Sequence, residues 1–102
     1  LNVPRLNHRF DYNIVIPHQF KRAAVLDECV KRAGLSMTDA YTTFNMGFGM
    51  VAAVKPAAAL SAIKALKKAG VRAHFIGEVG PRKKSRDSKV HIIDDSGLIT
   101  LQ

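Results

Sequence analysis

The segment Asn45-Met46-Gly47-Phe48-Gly49 is the clearest group of residues that could do chemistry in this 102-residue chain. Its two glycines stand at alternate positions, and the backbone N–H groups beside a glycine can approach a ligand, such as a phosphate, without obstruction by side chains. Asn45 could hydrogen-bond a substrate or cap the preceding helix. The same pattern is typical of a tight turn or bulge between a helix and a strand. Asn45, Gly47 and Gly49 are therefore candidate substrate-binding residues, with the turn as the alternative interpretation.

The other reactive side chains do not form a catalytic or metal-binding pattern. The four histidines are His8, His18, His74 and His91. No two of them have the i, i+4 spacing of a helical metal site, although the last two fall on predicted strands that could be neighbours. Cys29 follows Asp27 and Glu28, whose charges disfavour a thiolate. Glu78 is a candidate general base, but no second carboxylate can be placed beside it. The catalytic residues stay unassigned, and no metal site is predicted.

The positive charge of the chain is concentrated on a loop and a helix. Sixteen lysines and arginines against eight acidic residues give a net charge of +8, and five of the cations lie in the loop 81–89. No aromatic stacking platform flanks this loop, and the chain lacks the signatures of the common nucleic-acid-binding folds. Solvated surface, or contact with small phosphorylated ligands, is therefore favoured over nucleic acid as the role of these cations.

The composition of the chain also indicates its cellular location. No stretch approaches the ~18 consecutive apolar residues that a membrane-spanning helix needs, and the start of the chain has no signal-peptide pattern. A single cysteine cannot form an internal disulfide bond. These features predict a cytoplasmic protein with no membrane partner.

Hydrophobic spacing predicts an α+β fold. The first predicted elements are a short strand at 11–16, a helix from Phe20 to Gly34, and a helix at 37–43 capped by Ser36. A buried strand at 50–54 and a helix from Pro56 to Gly70 follow. The last elements are a strand that begins at 71, alternates over 71–75 and ends near 77–80, and a hairpin of strands 90–93 and 98–101. The strand, helix and strand between 50 and 75 would form one βαβ unit. We expect a mixed sheet of about four strands with helices packed on it.

Three segments carry a resemblance to a known family. Residues 41–51, Tyr-Thr-Thr-Phe-Asn-Met-Gly-Phe-Gly-Met-Val, contain the run Phe-Asn-Met-Gly-x-Gly, residues 2–6 read Asn-Val-Pro-Arg-Leu, and residues 76–79 read Ile-Gly-Glu-Val. In this order they resemble the C-terminal domain of the aminoimidazole ribonucleotide synthetases, also called phosphoribosylformylglycinamidine cyclo-ligases. The resemblance covers roughly residues 2–80.

The resemblance implies a partly ferredoxin-like domain and an activity. Members of the family use ATP to activate the amide oxygen of formylglycinamidine ribonucleotide, and a neighbouring amine then closes the imidazole ring of aminoimidazole ribonucleotide in purine biosynthesis. ATP and Mg²⁺ are implied as cofactors, bound mainly by an N-terminal domain. A ribonucleotide substrate and a homodimeric full-length protein are implied as well. Arg5, in the Asn-Val-Pro-Arg-Leu segment, becomes a candidate for the substrate phosphate.

The resemblance also implies how this chain relates to a whole enzyme. Residues 1–102 are expected to be a single domain, the C-terminal part of a synthetase whose N-terminal ATP-binding domain is not in this sequence, and to be inactive alone. Position 40 is Ala where the family commonly has Met, and the loop 81–89 is unusually basic. Two alternatives follow: a diverged member of the same ATP-dependent superfamily, or a stand-alone basic module that binds nucleic acid or phosphorylated ligands.

Overall fold

The computed structural model describes residues 2–17, 20–83, 87–95 and 97–101. Its strands are β1 (Phe10–Val15), β2 (Gly77–Pro81), β3 (Val90–Asp94) and β4 (Gly97–Leu101), and its α-helices are α1 (Ala24–Ala33), α2 (Met37–Thr43) and α3 (Ala59–Lys68). Short 3₁₀ turns at Val3–Arg5 and Pro56–Ala58 precede β1 and α3. The described part of the chain therefore has the expected α+β composition.

The four strands form one mixed sheet in the order β2-β1-β3-β4. β1 pairs antiparallel with β2 and parallel with β3, and β4 is antiparallel to β3. A parallel pair requires a crossover connection, and the helices lie between β1 and β3 in the chain. The mixed sheet and a βαβ arrangement are thus confirmed, and so are the strand at 11–16 and the terminal hairpin, whose turn residue Ser96 lies outside the described residues.

The core lies on one face of the sheet. Alternate residues of three strands are buried and stand side by side in two rows, Tyr12-Val90-Leu101 and Ile14-Ile92-Ile99. Ala40 and Tyr41 of α2 cover these rows, together with Met46 and Val3. Because period-2 burial makes one face apolar, the sheet needs this helical cover, and α2 is the helix that supplies fully buried residues.

Two helix boundaries agree with their sequence signals. Ser36 Oγ accepts a hydrogen bond from the Asp39 N–H at 3.1 Å, as an N-cap does, and α2 begins at Met37 as predicted. Gly34 ends α1 with φ of 64°, in the left-handed conformation that glycine adopts without strain.

The start of α1 is predicted four residues too early. Phe20 lies outside the helix, which begins at Ala24 after an extended Ala23. The Phe20 ring instead stacks on Phe48, with the ring centroids 4.3 Å apart. This tertiary contact holds Phe20 away from the helical position that its spacing predicts.

The predicted strand at 50–54 is wrong, and the strand predicted from 71 to near 77–80 is right only at its end. Residues 50–54 and 71–75 pair with no strand in the described structure, and β2 begins at Gly77. The parallel pair of the βαβ arrangement is therefore β1 and β3, and not two strands at 50–54 and 71–75. Apolar residues mark a strand only where a neighbour completes its hydrogen bonds, and here Met50, Val71 and Phe75 are exposed. α3, which lies between the two segments, has no buried residue.

Candidate functional site

A cleft of about 340 Å³ lies where the start of the chain meets the segment after α2. Its lining residues are Asn2, Val3, Leu6, Thr42, Thr43, Phe44, Asn45, Phe48, Gly49, Met50 and Val51. Val3 is part of the buried core and α2 is packed on the sheet, so both walls are anchored to the folded body. The lining combines hydroxyl and amide groups with apolar side chains and contains no charged residue.

A tight turn at residues 45–48 shapes one wall of the cleft. The Phe48 N–H donates to the Asn45 carbonyl at 3.2 Å, and the Gly47 N–H donates to Asn45 Oδ1 at 3.1 Å. The two central residues, Met46 and Gly47, both have positive φ, 54° and 97°, as in a type I′ turn. A methionine in this conformation is strained, and the strain is offset by complete burial of the Met46 side chain.

The structure separates the four predicted site residues. Asn45 and Gly49 line the cleft, together with Asn2. Gly47 points the other way, because a Cβ on it would lie 3.1 Å from the Phe20 ring and 3.5 Å from Arg22 Cγ. Arg5 is exposed on the adjoining 3₁₀ turn and is not part of the lining. The cleft thus brings Asn45 and Gly49 together, while Gly47 and Arg5 lie outside it.

We expect the two glycines to differ sharply in their effect on stability. Gly47→Ala adds a side chain at positive φ against the Phe20 ring and should destabilise the fold by about 2 kcal/mol. Gly49→Ala meets no atom within 4 Å and should stay within about 0.5 kcal/mol of the wild type. Urea unfolding of both variants measures the difference. Equal stability of the two variants would contradict the assignment of Gly47 to the turn.

Behind the turn lies a polar network that the sequence does not reveal. Arg22 Nε donates to the Met46 carbonyl at 3.1 Å, and Arg22 Nη2 donates to the Tyr41 hydroxyl at 3.2 Å. Tyr41 in turn donates to Asp94 Oδ2 at 3.1 Å, and Arg22 also pairs with Asp27. These residues are far apart in the chain and meet only through folding. The one sequence signal is Tyr41, which opens the 41–51 segment.

The buried Tyr41 hydroxyl has a shifted pKa. Burial is the main cause, with Asp94 adding to the effect and Arg22 opposing it, and together they raise the pKa of Tyr41 to about 12. Because the native state favours the neutral phenol, Tyr41 contributes stability below its ordinary pKa of 10, and this contribution is lost as the pH rises through 12.

Tyr41→Phe measures that contribution. The difference in unfolding free energy between the wild type and the variant should shrink by about 2 to 3 kcal/mol between pH 9 and pH 12, at about 1.4 kcal/mol per pKa unit. The difference isolates Tyr41, since the lysines titrate equally in both proteins. A difference that stays constant with pH would contradict the shift.

The remaining candidates from the sequence stay isolated. His74 contacts the Phe20 ring edge-on, 5.8 Å between centroids, and precedes β2, whereas His91 lies on β3 beside Thr100. The expectation that both lie on neighbouring strands is wrong, because His74 is not in a strand and β1 separates β2 from β3. His18 lies outside the described residues. Among those described, no three His, Cys, Asp or Glu side chains are grouped to hold a metal ion.

Glu78 and the described residues of the basic loop are not part of the cleft lining. Glu78 lies on β2 in a second, mainly apolar groove shared with Asn13 and Phe75, and no other carboxylate lines that groove. Of the basic loop, residues 81–83 and 87–89 are described, while residues 84–86 lie outside the described ranges. Within the ranges described, no helix has the length and apolar character needed to cross a bilayer.

Known proteins share sequence similarity with this chain. The model of the family "AIR synthase related protein, C-terminal domain" matches residues 8–88. A phosphoribosylformylglycinamidine cyclo-ligase of Brevibacillus brevis is 46% identical over 55% of this chain and 17% of its own length. A cyclo-ligase of the same name from an Anaeromyxobacter species is 32% identical over 76% of this chain and 23% of its own.

A fungal protein is also similar in sequence to this chain. A bifunctional purine biosynthetic protein of Pichia angusta is 45% identical over 52% of this chain and 7% of its own length. The chain thus spans less than a quarter of each of these relatives. No solved structure matches it significantly.

Proposed function

The chain belongs to the family of AIR synthase related C-terminal domains, and from that premise we propose that it is the C-terminal domain of a phosphoribosylformylglycinamidine cyclo-ligase. The activity proposed is the ATP-dependent closure of the imidazole ring of formylglycinamidine ribonucleotide in purine biosynthesis. The curated relatives carry the name of this enzyme. The proposal concerns the whole enzyme, of which this chain supplies one part.

One structural observation carries the proposal. The segments 2–6 and 41–51, which hold two of the three stretches of family resemblance, are separated by about 35 residues and line the same cleft. Packing of the core does not require the exposed Asn2, Thr42 and Asn45 to border the same open space. The meeting of both segments at one cleft supports a binding site there.

The lining suits the neutral part of the proposed substrate. Asn2 and Thr43 present groups that can donate to and accept from a substrate amide and ribose hydroxyls. The Asn45 NH₂ group can donate, and the Thr42 hydroxyl, which already donates to the Thr38 carbonyl, can accept. Holding the amide oxygen and the amine in reach of each other is what ring closure requires, because positioning supplies much of the rate of such a step. We propose that Arg5, which is exposed on the 3₁₀ turn beside the cleft, binds a substrate phosphate at its edge.

The lining of the cleft does not fit Mg²⁺ or the phosphates of ATP, because it contains neither a carboxylate nor a cation. Elsewhere among the described residues, no three metal-ligating side chains are grouped. We therefore assign no step through Mg²⁺ or ATP to this chain, and propose that both bind mainly to an N-terminal domain of the full enzyme. The exposed apolar side chains of Met50, Leu60 and Phe75 support cover by that domain. We further propose, from the family resemblance, that the full enzyme is a homodimer in the cytoplasm.

Reconstitution tests the proposal. The chain is joined to, or mixed with, the N-terminal domain of a curated cyclo-ligase, and ring closure is followed with formylglycinamidine ribonucleotide, ATP and Mg²⁺. The proposal predicts turnover that requires both parts and ATP, and no turnover from either part alone. A folded joined protein without turnover would contradict it.

The same material tests the alternative of a basic binding module. Binding to DNA or RNA at low salt that weakens steeply as salt rises, in a joined protein without ring closure, would replace the proposed activity with that alternative. None of the relatives reported above is named for nucleic-acid binding.

A further inference from the structure

We propose that Arg22 is a positioning residue for the cleft: together with Phe20, it holds the Asn45–Phe48 turn in its left-handed shape, so that Asn45 and Phe48 face the substrate. This inference rests on the proposed function for the identity of the substrate. It assigns a role to the segment 20–22, which neither the spacing of the chain nor the family resemblance marks as functional.

The turn has two faces, and the segment 20–22 occupies the one away from the cleft. Asn45, Phe48 and Gly49 line the cleft. On the opposite side, a Cβ on Gly47 would meet the Phe20 ring at 3.1 Å, and the Met46 carbonyl accepts from Arg22 Nε at 3.1 Å. The shape of the cleft wall therefore depends on what supports it from behind.

Phe20 supports the turn by stacking. Its ring lies 4.3 Å from that of Phe48, with an angle of 11° between the planes. One face of Phe48 is thus covered by Phe20, while the residue still lines the cleft. Offset stacking of this kind fixes the orientation of a ring, so Phe20 sets the direction in which Phe48 meets a ligand.

Arg22 supports the turn by hydrogen bonding. Its guanidinium connects the Met46 carbonyl with the Tyr41 hydroxyl and lies 5.9 Å from the centre of the Tyr41 ring. The Arg22 side chain is only 16% exposed, whereas that of Arg32, in the surface pair with Glu28, is 80% exposed. Because the planar fork of arginine can bond two partners in fixed geometry, Arg22 ties the strained Met46 to the packed helix α2.

Methionine oxidation reports on the structure of the turn directly and needs no assay of enzyme activity. Met46, the second residue of the turn, is fully buried in the core, whereas Met50, five residues beyond Asn45, is 89% exposed. Hydrogen peroxide converts accessible methionine to the sulfoxide, so mass spectrometry of the treated chain gives the two rates separately. In the wild type, Met50 should oxidise at least about tenfold faster than Met46.

Arg22→Ala should remove this protection. We expect the oxidation rate of Met46 to rise about tenfold relative to that of Met50, the scale of a lost hydrogen bond on a buried carbonyl. Arg22→Lys, which retains one donor, should restore part of the protection. Arg32→Ala removes the same charge from an exposed pair and should leave both rates unchanged. If Arg22→Ala fails to fold, Arg22→Lys becomes the test, with an intermediate Met46 rate expected.

Kinetics of the joined enzyme separate positioning from general stability. A misplaced cleft wall raises the KM for the ribonucleotide by about tenfold with little change in kcat, whereas a smaller folded fraction lowers kcat and leaves KM unchanged. A raised KM together with an exposed Met46 supports the inference.

Two other outcomes are decisive. Unchanged protection of Met46 in Arg22→Ala overturns the inference. In the second outcome, Met46 becomes exposed in Arg22→Ala, but the joined wild-type enzyme is folded and has no ring-closing activity. This result supports the positioning role and overturns the proposed function instead.

Discussion

Gly77→Val should abolish the native fold or destabilise it by about 3 kcal/mol or more, the upper range for overpacking against neighbouring atoms. A Cβ on Gly77 would overlap the Asn13 carbonyl oxygen and lie 2.8 Å from the Asn13 carbonyl carbon and 2.9 Å from Ile14 Cα. These are backbone atoms of β1, the strand that pairs with both β2 and β3. Relief of the overlap requires the two strands to separate, because a backbone cannot rotate aside as a side chain can.

Gly80→Ala is a control on the same strand. A Cβ on Gly80 would meet only the side-chain Nδ2 of Asn13, at the ordinary contact distance of 3.5 Å, so we expect a change within about 0.5 kcal/mol. Circular dichroism and urea unfolding of both variants measure the contrast. A Gly77→Val protein that unfolds at the wild-type urea concentration would show that β1 and β2 do not pack as closely as described.

The sequence predicts those parts of the fold that depend on local signals. Ser36 and Gly34 mark helix ends through hydrogen bonds and φ angles that involve only neighbouring residues, and both are confirmed. The hairpin of β3 and β4 is local as well, and its alternating burial agrees with the apolar pattern of Val90, Ile92 and Ile99. Local chemistry is readable because it needs no knowledge of distant partners.

The wrong strand predictions have a tertiary cause. The apolar run 50–54 and the alternation at 71–75 resemble strands, but pairing decides whether an apolar segment becomes one. Here β1 takes β2 and β3 as its two neighbours. The close approach of Gly77 to β1 sets the start of β2, a constraint that hydrophobic spacing does not contain.

At the candidate site, too, the sequence predicts the residues with local signals and misses those that depend on tertiary contacts. Asn45 and Gly49 were predicted as site residues, and the structure places both at the cleft. Gly47 belongs to the same motif, but a Cβ on it would face the Phe20 ring and not the cleft. The apolar spacing assigns Phe20 to a helix and therefore does not predict this contact. Arg22 had no signal, since its partners Tyr41 and Met46 lie 19 and 24 residues away.

Asn45 is where the turn and the proposed substrate site meet. Its Oδ1 accepts from the Gly47 N–H within the turn, and the NH₂ group of this exposed side chain is the donor that a bound ligand can use. Asn45→Asp keeps an oxygen acceptor for the turn, because aspartate and asparagine form the same turns. It replaces the NH₂ donor with a negatively charged oxygen. The substitution therefore separates the structural role of Asn45 from its proposed role in binding.

The most direct test of the central claim is kcat/KM for the ribonucleotide in a joined enzyme that carries Asn45→Asp. We predict a loss of about tenfold to a hundredfold, the range for a lost hydrogen bond to a polar or charged ligand group, with an unchanged melting temperature. Asn13→Asp makes the same chemical change at the second groove and should retain wild-type kinetics. Wild-type kcat/KM in Asn45→Asp would contradict the assignment of this cleft to the substrate.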